Sequence, residues 1–230
     1  MRGIQTRTLR RLRRDTGTGV AALGIVLLIL SGCATYGTGK APVSHESRET
    51  KEPSVTRFED GREGFIITEF PQMNDRSRRN FGHAVAMLEE QNYEQAIDLL
   101  LTVIKESPGV TAPYIDIAIA YQAIGKPEQA EEYLDTALEL FPDHPVACNE
   151  YGLLYRRTGR FAEAREIYEK AITRFPDYYP AHKNLGILCD LYLKDSSCAL
   201  EHYEIYSAAK PEDEQVKLWI ADLRTGLGRN

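Results

Sequence analysis

A chain of 230 residues with 27% charged and 43% hydrophobic side chains is too polar for a multi-span membrane protein, and it suits one medium α-rich domain with unstructured segments beside it. Its charge is unevenly placed: Arg2, Arg7, Arg10, Arg11, Arg13 and Arg14 stand against a single acid, Asp15, in the first fifteen residues. Without residues 1–32 the formal charge moves from −6 to −11, and such a surface repels nucleic acid and anionic headgroups unless a local basic patch overrides it.

After the basic stretch, residues 20–30 read VAALGIVLLIL, an apolar run of 11. As a helix it spans about 17 Å of a hydrocarbon core about 30 Å thick, too short for a stable transmembrane anchor. With its arginine flank it reads as the core of a signal peptide over 1–32. It ends in Leu30-Ser31-Gly32-Cys33, which resembles the lipobox at which bacterial lipoprotein precursors are modified and cut. The small residues at 31 and 32 let the backbone enter a peptidase cleft, and Cys33 supplies the thiol that takes the lipid. The resemblance implies that Cys33 becomes residue one, carries a covalent lipid on its sulfur and usually on its amine, and holds the protein permanently on a membrane. In that class a residue other than Asp after the cysteine, here Ala34, favours the outer membrane.

Residues 33–71 are rich in Gly, Pro, Ser, Thr and charge with no apolar period, a composition expected to form a flexible tether. Residues 65–70, FIITEF, are the exception. They suit a short extended segment on the folded domain, either shielding a helix of the first repeat or contacting a partner.

The exported chain then repeats. Ala96, Ala130 and Ala164 are 34 residues apart, as are Pro108, Pro142 and Pro176, and Tyr93, Pro127 and Phe161. The pattern resembles the tetratricopeptide repeat, whose unit is a helical hairpin with small residues where its helices cross and a proline near its end. Repeats are expected at about 77–110, 111–144, 145–178 and 179–213, the fourth with one extra residue in the turn at 193–197. A final helix at 212–227, striped by Val216, Trp219, Ile220 and Leu223, is expected to cap the stack, and 228–230 form a tail. The implied fold is an all-α solenoid of four hairpins and a C-terminal capping helix over 72–227.

Carrying over the family's inner-face positions gives a protein-binding groove of Phe81, Val85 and Leu88 from repeat one and Ile115, Ile119 and Gln122 from repeat two. Repeat three adds Asn149, Leu153 and Arg156, and repeat four adds Lys183, Ile187 and Asp190. Asn149, Gln122, Arg156 and Lys183 are the polar contacts for backbone or carboxylate oxygens of a bound peptide. The face takes either an external envelope protein or peptide, or the chain's own residues 65–70 or another protomer. Cys189 and Cys198 flank the fourth repeat's turn and either pair as a disulfide in an oxidising periplasm or stay reduced; Cys148 falls at a core position.

His45, His83, His144, His182 and His202 are dispersed, and no HExxH, CxxC, phosphate-binding or dinucleotide-binding motif occurs. The acids Glu89, Glu90, Glu131 and Glu132 read as solvated surface. The chain is therefore expected to be no enzyme, with no metal or cofactor beyond the lipid. Outer-membrane lipoproteins of the resembled family include pilotins that assist secretin assembly and adaptors that recruit cell-wall enzymes. The implied function is a membrane-tethered interaction scaffold or assembly adaptor on the periplasmic face of the outer membrane. The alternative is a passive structural or homo-oligomeric envelope lipoprotein, and the oligomeric state stays open.

Overall fold

The computed structural model describes residues 54–57, 65–70 and 72–228; the expected signal peptide, Cys33 and most of the expected tether lie outside them. The described chain opens with an antiparallel pair of strands, β1 (Ser54–Arg57) and β2 (Phe65–Thr68), with Val55 opposite Ile67 and Thr56 opposite Ile66. β2 occupies the segment expected to be extended. β1 falls in a stretch read as tether, where two β-branched residues, Val55 and Thr56, favour a strand but are too few to stand out among polar neighbours.

The rest is an all-α solenoid of the tetratricopeptide type. Its hairpins pair α1 (Asp75–Glu89) with α2 (Tyr93–Glu106), α3 (Ala112–Ala123) with α4 (Pro127–Leu140), α5 (Pro145–Arg157) with α6 (Phe161–Arg174), and α7 (Tyr179–Leu188) with α8 (Ser196–Ala209). A last helix, α9 (Glu214–Gly226), packs on α8. Local chemistry sets the starts. Asn74, Asp195 and Asp213 accept from the backbone N–H groups of Ser77, Cys198 and Val216, satisfying donors that a helix leaves orphaned. Proline occupies the first turn of α3, α4, α5 and α7, where its missing N–H costs nothing.

The hairpin turns explain the irregular fourth repeat. In the first three, a backbone N–H three residues past the helix returns to a carbonyl five residues earlier: Asn92 to Met87, Lys126 to Tyr121 and Arg160 to Tyr155. Gly125 and Gly159 supply the left-handed residue these closures need, at φ +74° and +78°. In the fourth, Asp195 N–H reaches back six residues to Cys189 O at 2.9 Å, and the intervening Cys189–Leu193 forms a π-helical turn ended by Lys194 at φ +57°. The extra residue therefore sits inside the helix end, upstream of the 193–197 turn where sequence spacing put it. A π-turn is the way a helix absorbs one inserted residue without losing register.

The crossings set how closely each pair packs. Ala84, Ala96, Ala118, Ala130, Ala164 and Ala199 are all fully buried. Gly152 lies under the ring of Tyr168, and Gly186 lies under Tyr203, where an added Cβ would stand 2.6 Å from ring carbon. An alanine at 152 collides with Tyr168, whose ring is fully enclosed and has nowhere to retreat. Gly152→Ala should therefore destabilise the fold by about 1–3 kcal/mol through overpacking, although alanine is the better helix former. Chemical denaturation measures this, and Tyr168→Leu in the same chain should recover most of the loss. A neutral or stabilising Gly152→Ala would contradict the packing.

Candidate functional site

The first helices of successive hairpins pack side by side, α1 on α3, α3 on α5 and α5 on α7, and build one wall of the solenoid. Among the positions expected to line it, Val85, Ile119, Leu153, Gln122 and Arg156 are half-buried. Phe81 and Leu88 are half-buried too, and pack against the cluster of Ala84, Leu100 and Ile117. Ile187 packs on the large C-terminal core.

Three positions do different work. Ile115 is 3% exposed and packs with Tyr114, Ala137 and Ala147, so it is core and not groove. Asn149 is 2% exposed; its carbonyl oxygen accepts from Asn184 Nδ2 at 2.8 Å, and its amide donates to Glu150 Oε1 at 3.3 Å. It is a buried bridge between α5 and α7, and removing it would orphan its partners. Lys183 Nζ donates to Asp213 Oδ2 at 2.6 Å and lies 4.9 Å from the centre of the Tyr206 ring, which fastens α7 to the start of α9. Asp190 sits in the π-turn, 3.5 Å from the Tyr203 hydroxyl. Of the positions expected to line the groove, Ile115 belongs to the core, and two of the four polar ones, Asn149 and Lys183, are bonded within the fold itself.

The residues that the carried-over pattern missed stand one position further on. Gly82, Asp116, Glu150 and Asn184 are spaced by the 34-residue repeat on α1, α3, α5 and α7. Asp116 and Glu150 are half-buried. A signal for them existed: Asp116 is the one charged residue of α3, whose sequence is otherwise APYI and IAIAYQA.

Burial raises the pKa of Asp116 to about 7, with the neighbouring charge of Glu150 adding to the rise. Burial raises Glu150 to about 7 as well, against the hydrogen bond from Asn149 and the pull of Arg157. Nearby polar atoms are also unsatisfied. Both amide atoms of Gln122, Nη1 of Arg156 and the hydroxyl of the fully buried Tyr168 are sealed from solvent with no hydrogen-bond partner among the described residues. The Tyr168 hydroxyl lies within the fields of Arg156, Glu150 and Arg157. A buried group of this kind costs of order 1–3 kcal/mol when nothing bonds to it.

Residues 65–70 lie elsewhere. Glu69 Oε2 accepts from the backbone N–H of Thr111 at 2.6 Å, and Oε1 lies 3.4 Å from His144 Nε2. His144 Nδ1 accepts from Ala147 N–H, which leaves the proton on Nε2 to face the carboxylate. β1 reaches the same edge, where Ser54 and Val55 share a cleft with Phe141, Arg174 and Phe175. These contacts are to the turns between hairpins, not to the wall of first helices.

Cys189 and Cys198 are joined by a disulfide with Cα atoms 5.9 Å apart. The Cys148 thiol is buried and pushed up to about 12 by that burial, a packed and unreactive group. His182 and His202, distant in sequence, meet with their Nδ1 atoms 3.0 Å apart, and His182 Nε2 donates to Pro176 O; burial lowers both pKa values. No group of three or more His, Cys, Asp and Glu side chains able to hold a metal occurs among the described residues.

Residues 115–179, most of the second and third hairpins, match the tetratricopeptide repeat family model. No curated protein sequence matches the chain. Among solved structures it is similar to PilF of Pseudomonas aeruginosa at 24% identity, covering 66% of this chain and 69% of that one with a TM-score of 0.61. It is similar to PilW, described as a widely conserved type IV pilus biogenesis factor, at 26% identity over 68% and 72% of the two chains, TM-score 0.60. A thermophilic tetratricopeptide repeat protein of Thermus thermophilus shares the fold at 20% identity, over 64% and 80%, TM-score 0.58. The chain thus shares the tetratricopeptide repeat fold of these proteins.

The raised carboxyl pKa values make a signed prediction. The neutral forms of Asp116 and Glu150 stabilise the fold fully below the ordinary carboxyl range, and that contribution is lost as pH rises through about 7. Asp116→Asn or Glu150→Gln should raise Tm by roughly 3 °C or more at about pH 8 and change it little at about pH 4. Melting curves at the two pH values decide it. A variant less stable than the parent at the higher pH would show that the carboxylates are stabilised in the fold, contrary to the burial argument.

Proposed function

We propose that this chain is a lipid-anchored scaffold of the bacterial cell envelope that recruits another protein through the inner wall of its helical repeats. The observation that carries the reading is a half-buried row of polar side chains on α3 and α5, bordered by the apolar Val85, Ile119 and Leu153. A solenoid stabilised only for itself gains nothing from such a row. Three further observations support it. The PilW resemblance is to a protein described as a pilus biogenesis factor. The Cys189–Cys198 disulfide suits an oxidising compartment outside the cytoplasm. The Leu30-Ser31-Gly32-Cys33 sequence has the form of a lipoprotein processing site, and Ala34 after it favours the outer membrane.

Two experiments test the parts separately. Cys33→Ser should abolish lipid labelling and signal-peptide cleavage while the helical circular dichroism of the repeats is unchanged; normal labelling would remove the anchor from this account. For the recruiting wall, a photo-crosslinking amino acid is placed at Leu153 or at Leu218, which is 66% exposed on α9, in the full chain in living cells. Discrete adducts to a heterologous envelope protein are expected from position 153 and not from 218. Adducts to a second copy of this chain alone would establish self-association in place of recruitment.

A further inference from the structure

The row Gly82, Asp116, Glu150 and Asn184 has a chemistry of its own, and the inference drawn from it rests on the scaffold reading and specifies the partner. We propose that the wall receives a cationic side chain of the partner, a lysine or arginine whose head group lies between Asp116 and Glu150 while its stem enters over Gly82.

Geometry and charge carry this. Asp116 and Glu150 occupy equivalent positions on neighbouring helices α3 and α5 and repel one another. Among the described residues no lysine or arginine forms an ion pair with either. The lysine nearest in register, Lys183, is committed to Asp213, and Arg157 acts on Glu150 without bonding to it. A cation placed between the two carboxylates relieves the repulsion and forms charge-assisted hydrogen bonds with both. Both residues keep part of their surface.

The end of the row is open. Gly82 is exposed, and a Cβ built there meets nothing within 4 Å, so the α1 position beside Asp116 leaves room for a side-chain stem. Behind the row stands the fully buried Tyr168 hydroxyl, unpartnered and within the fields of Glu150 and Arg156. The amide of Gln122, likewise unpartnered, follows Asp116 on α3. A site complete in itself would not leave these groups idle beside two unpaired carboxylates.

Protonation bears on occupancy. Glu150 is faced by Asp116 from α3, by Asn149 and Arg157 on its own helix, by Tyr168 from α6 and by Tyr178 ahead of α7. Both carboxyls titrate at about 7, so a cation finds them ionised above neutrality and increasingly neutral below it.

The test uses the full-length chain in detergent and fluorescein-labelled peptides Ser-Leu-Ala-Leu-Xaa-Leu-Ala-Leu-Ser, with Xaa lysine, arginine, norleucine or glutamate, followed by anisotropy. At about pH 8 the lysine and arginine peptides should bind at least about tenfold more tightly than the norleucine and glutamate peptides. The preference should shrink at about pH 6. Asp116→Asn and Glu150→Gln, whose folding is checked by their melting curves, should each bring the four peptides to within about twofold of one another. Gly82→Leu should weaken the cationic peptides while helicity is kept. Equal binding of norleucine and lysine, preference for glutamate, or binding of no peptide would each overturn the proposal. Adducts from Leu153 without a cationic preference would leave the scaffold reading standing and remove this one. A cationic preference without adducts would do the reverse.

Discussion

A glycine or alanine on one helix lies beneath an aromatic or leucine side chain of its partner, and this contact governs the rest of the molecule. Gly152 under Tyr168 and Gly186 under Tyr203, with Ala118 and Ala130 fully buried beside Leu134 in the second hairpin, set how near each pair of axes comes. Because the contact recurs at a constant spacing, every first helix presents the same angular face to its neighbours. Residues 34 apart then fall into rows. The alignment of Asp116 with Glu150 is thus a consequence of packing several ångströms away, with no direct bond holding the two together.

That alignment has an electrostatic cost. Desolvation is the largest influence on both carboxyls, and at Asp116 the charge of Glu150 adds to it. The charge of Arg157 acts against the rise at Glu150, but no lysine or arginine among the described residues forms an ion pair with either carboxylate. Arg160 is instead spent on Glu131 at 2.7 Å, on Glu163 and on the Tyr155 ring, knitting the turn between α5 and α6 to α4. Lys183 is spent on the C-terminal cap. Arg160 and Lys183 therefore secure junctions between helices, and the negative pair on the inner wall has no ion-pair partner among the described residues. A stability deficit at one face, tolerated because the hairpins are well packed, is a common signature of a surface kept for binding.

The solenoid itself was legible in the sequence because its signals are periodic: the alanines, prolines and aromatic residues recur at one spacing, and tight helix crossings demand them. The wall was legible only in part. Apolar inner positions such as Ile119 and Leu153 follow from the repeat pattern. Asn149 and Lys183 do not, because whether a polar side chain faces a ligand or a neighbouring helix depends on Asn184 and Asp213, one repeat away in space. Asp116 stands out in the sequence as a lone charge in an apolar helix. The strand β1 and the His182–His202 contact had no periodic signal, and each depends on a chain crossing that spacing cannot supply. The inserted residue of the fourth repeat was detected by arithmetic, but its place inside the helix end required the backbone hydrogen bond from Asp195 to Cys189.

A repeat array has an inherent weakness that bears on the inner row. Each hairpin touches only its neighbours, so terminal units fray and the spacing between units can breathe. This chain counters both tendencies. At the C-terminal end, α9, the Lys183–Asp213 ion pair and the Cys189–Cys198 disulfide hold the irregular fourth hairpin closed. Along the turn edge of the second and third hairpins, Glu69 engages the turn before α3 and the turn before α5 at once, through Thr111 and His144, while Ser54 and Val55 of β1 share a cleft with Phe141 and Phe175 at the ends of α4 and α6. These contacts add a link at the turn edge to the direct packing of α3 on α5. They fix α3 relative to α5 from the turn edge, and α3 and α5 are the helices that carry Asp116 and Glu150. The strap thus leaves the inner wall uncovered by its own contacts and constrains the separation on which a head group lodged between the two carboxylates depends.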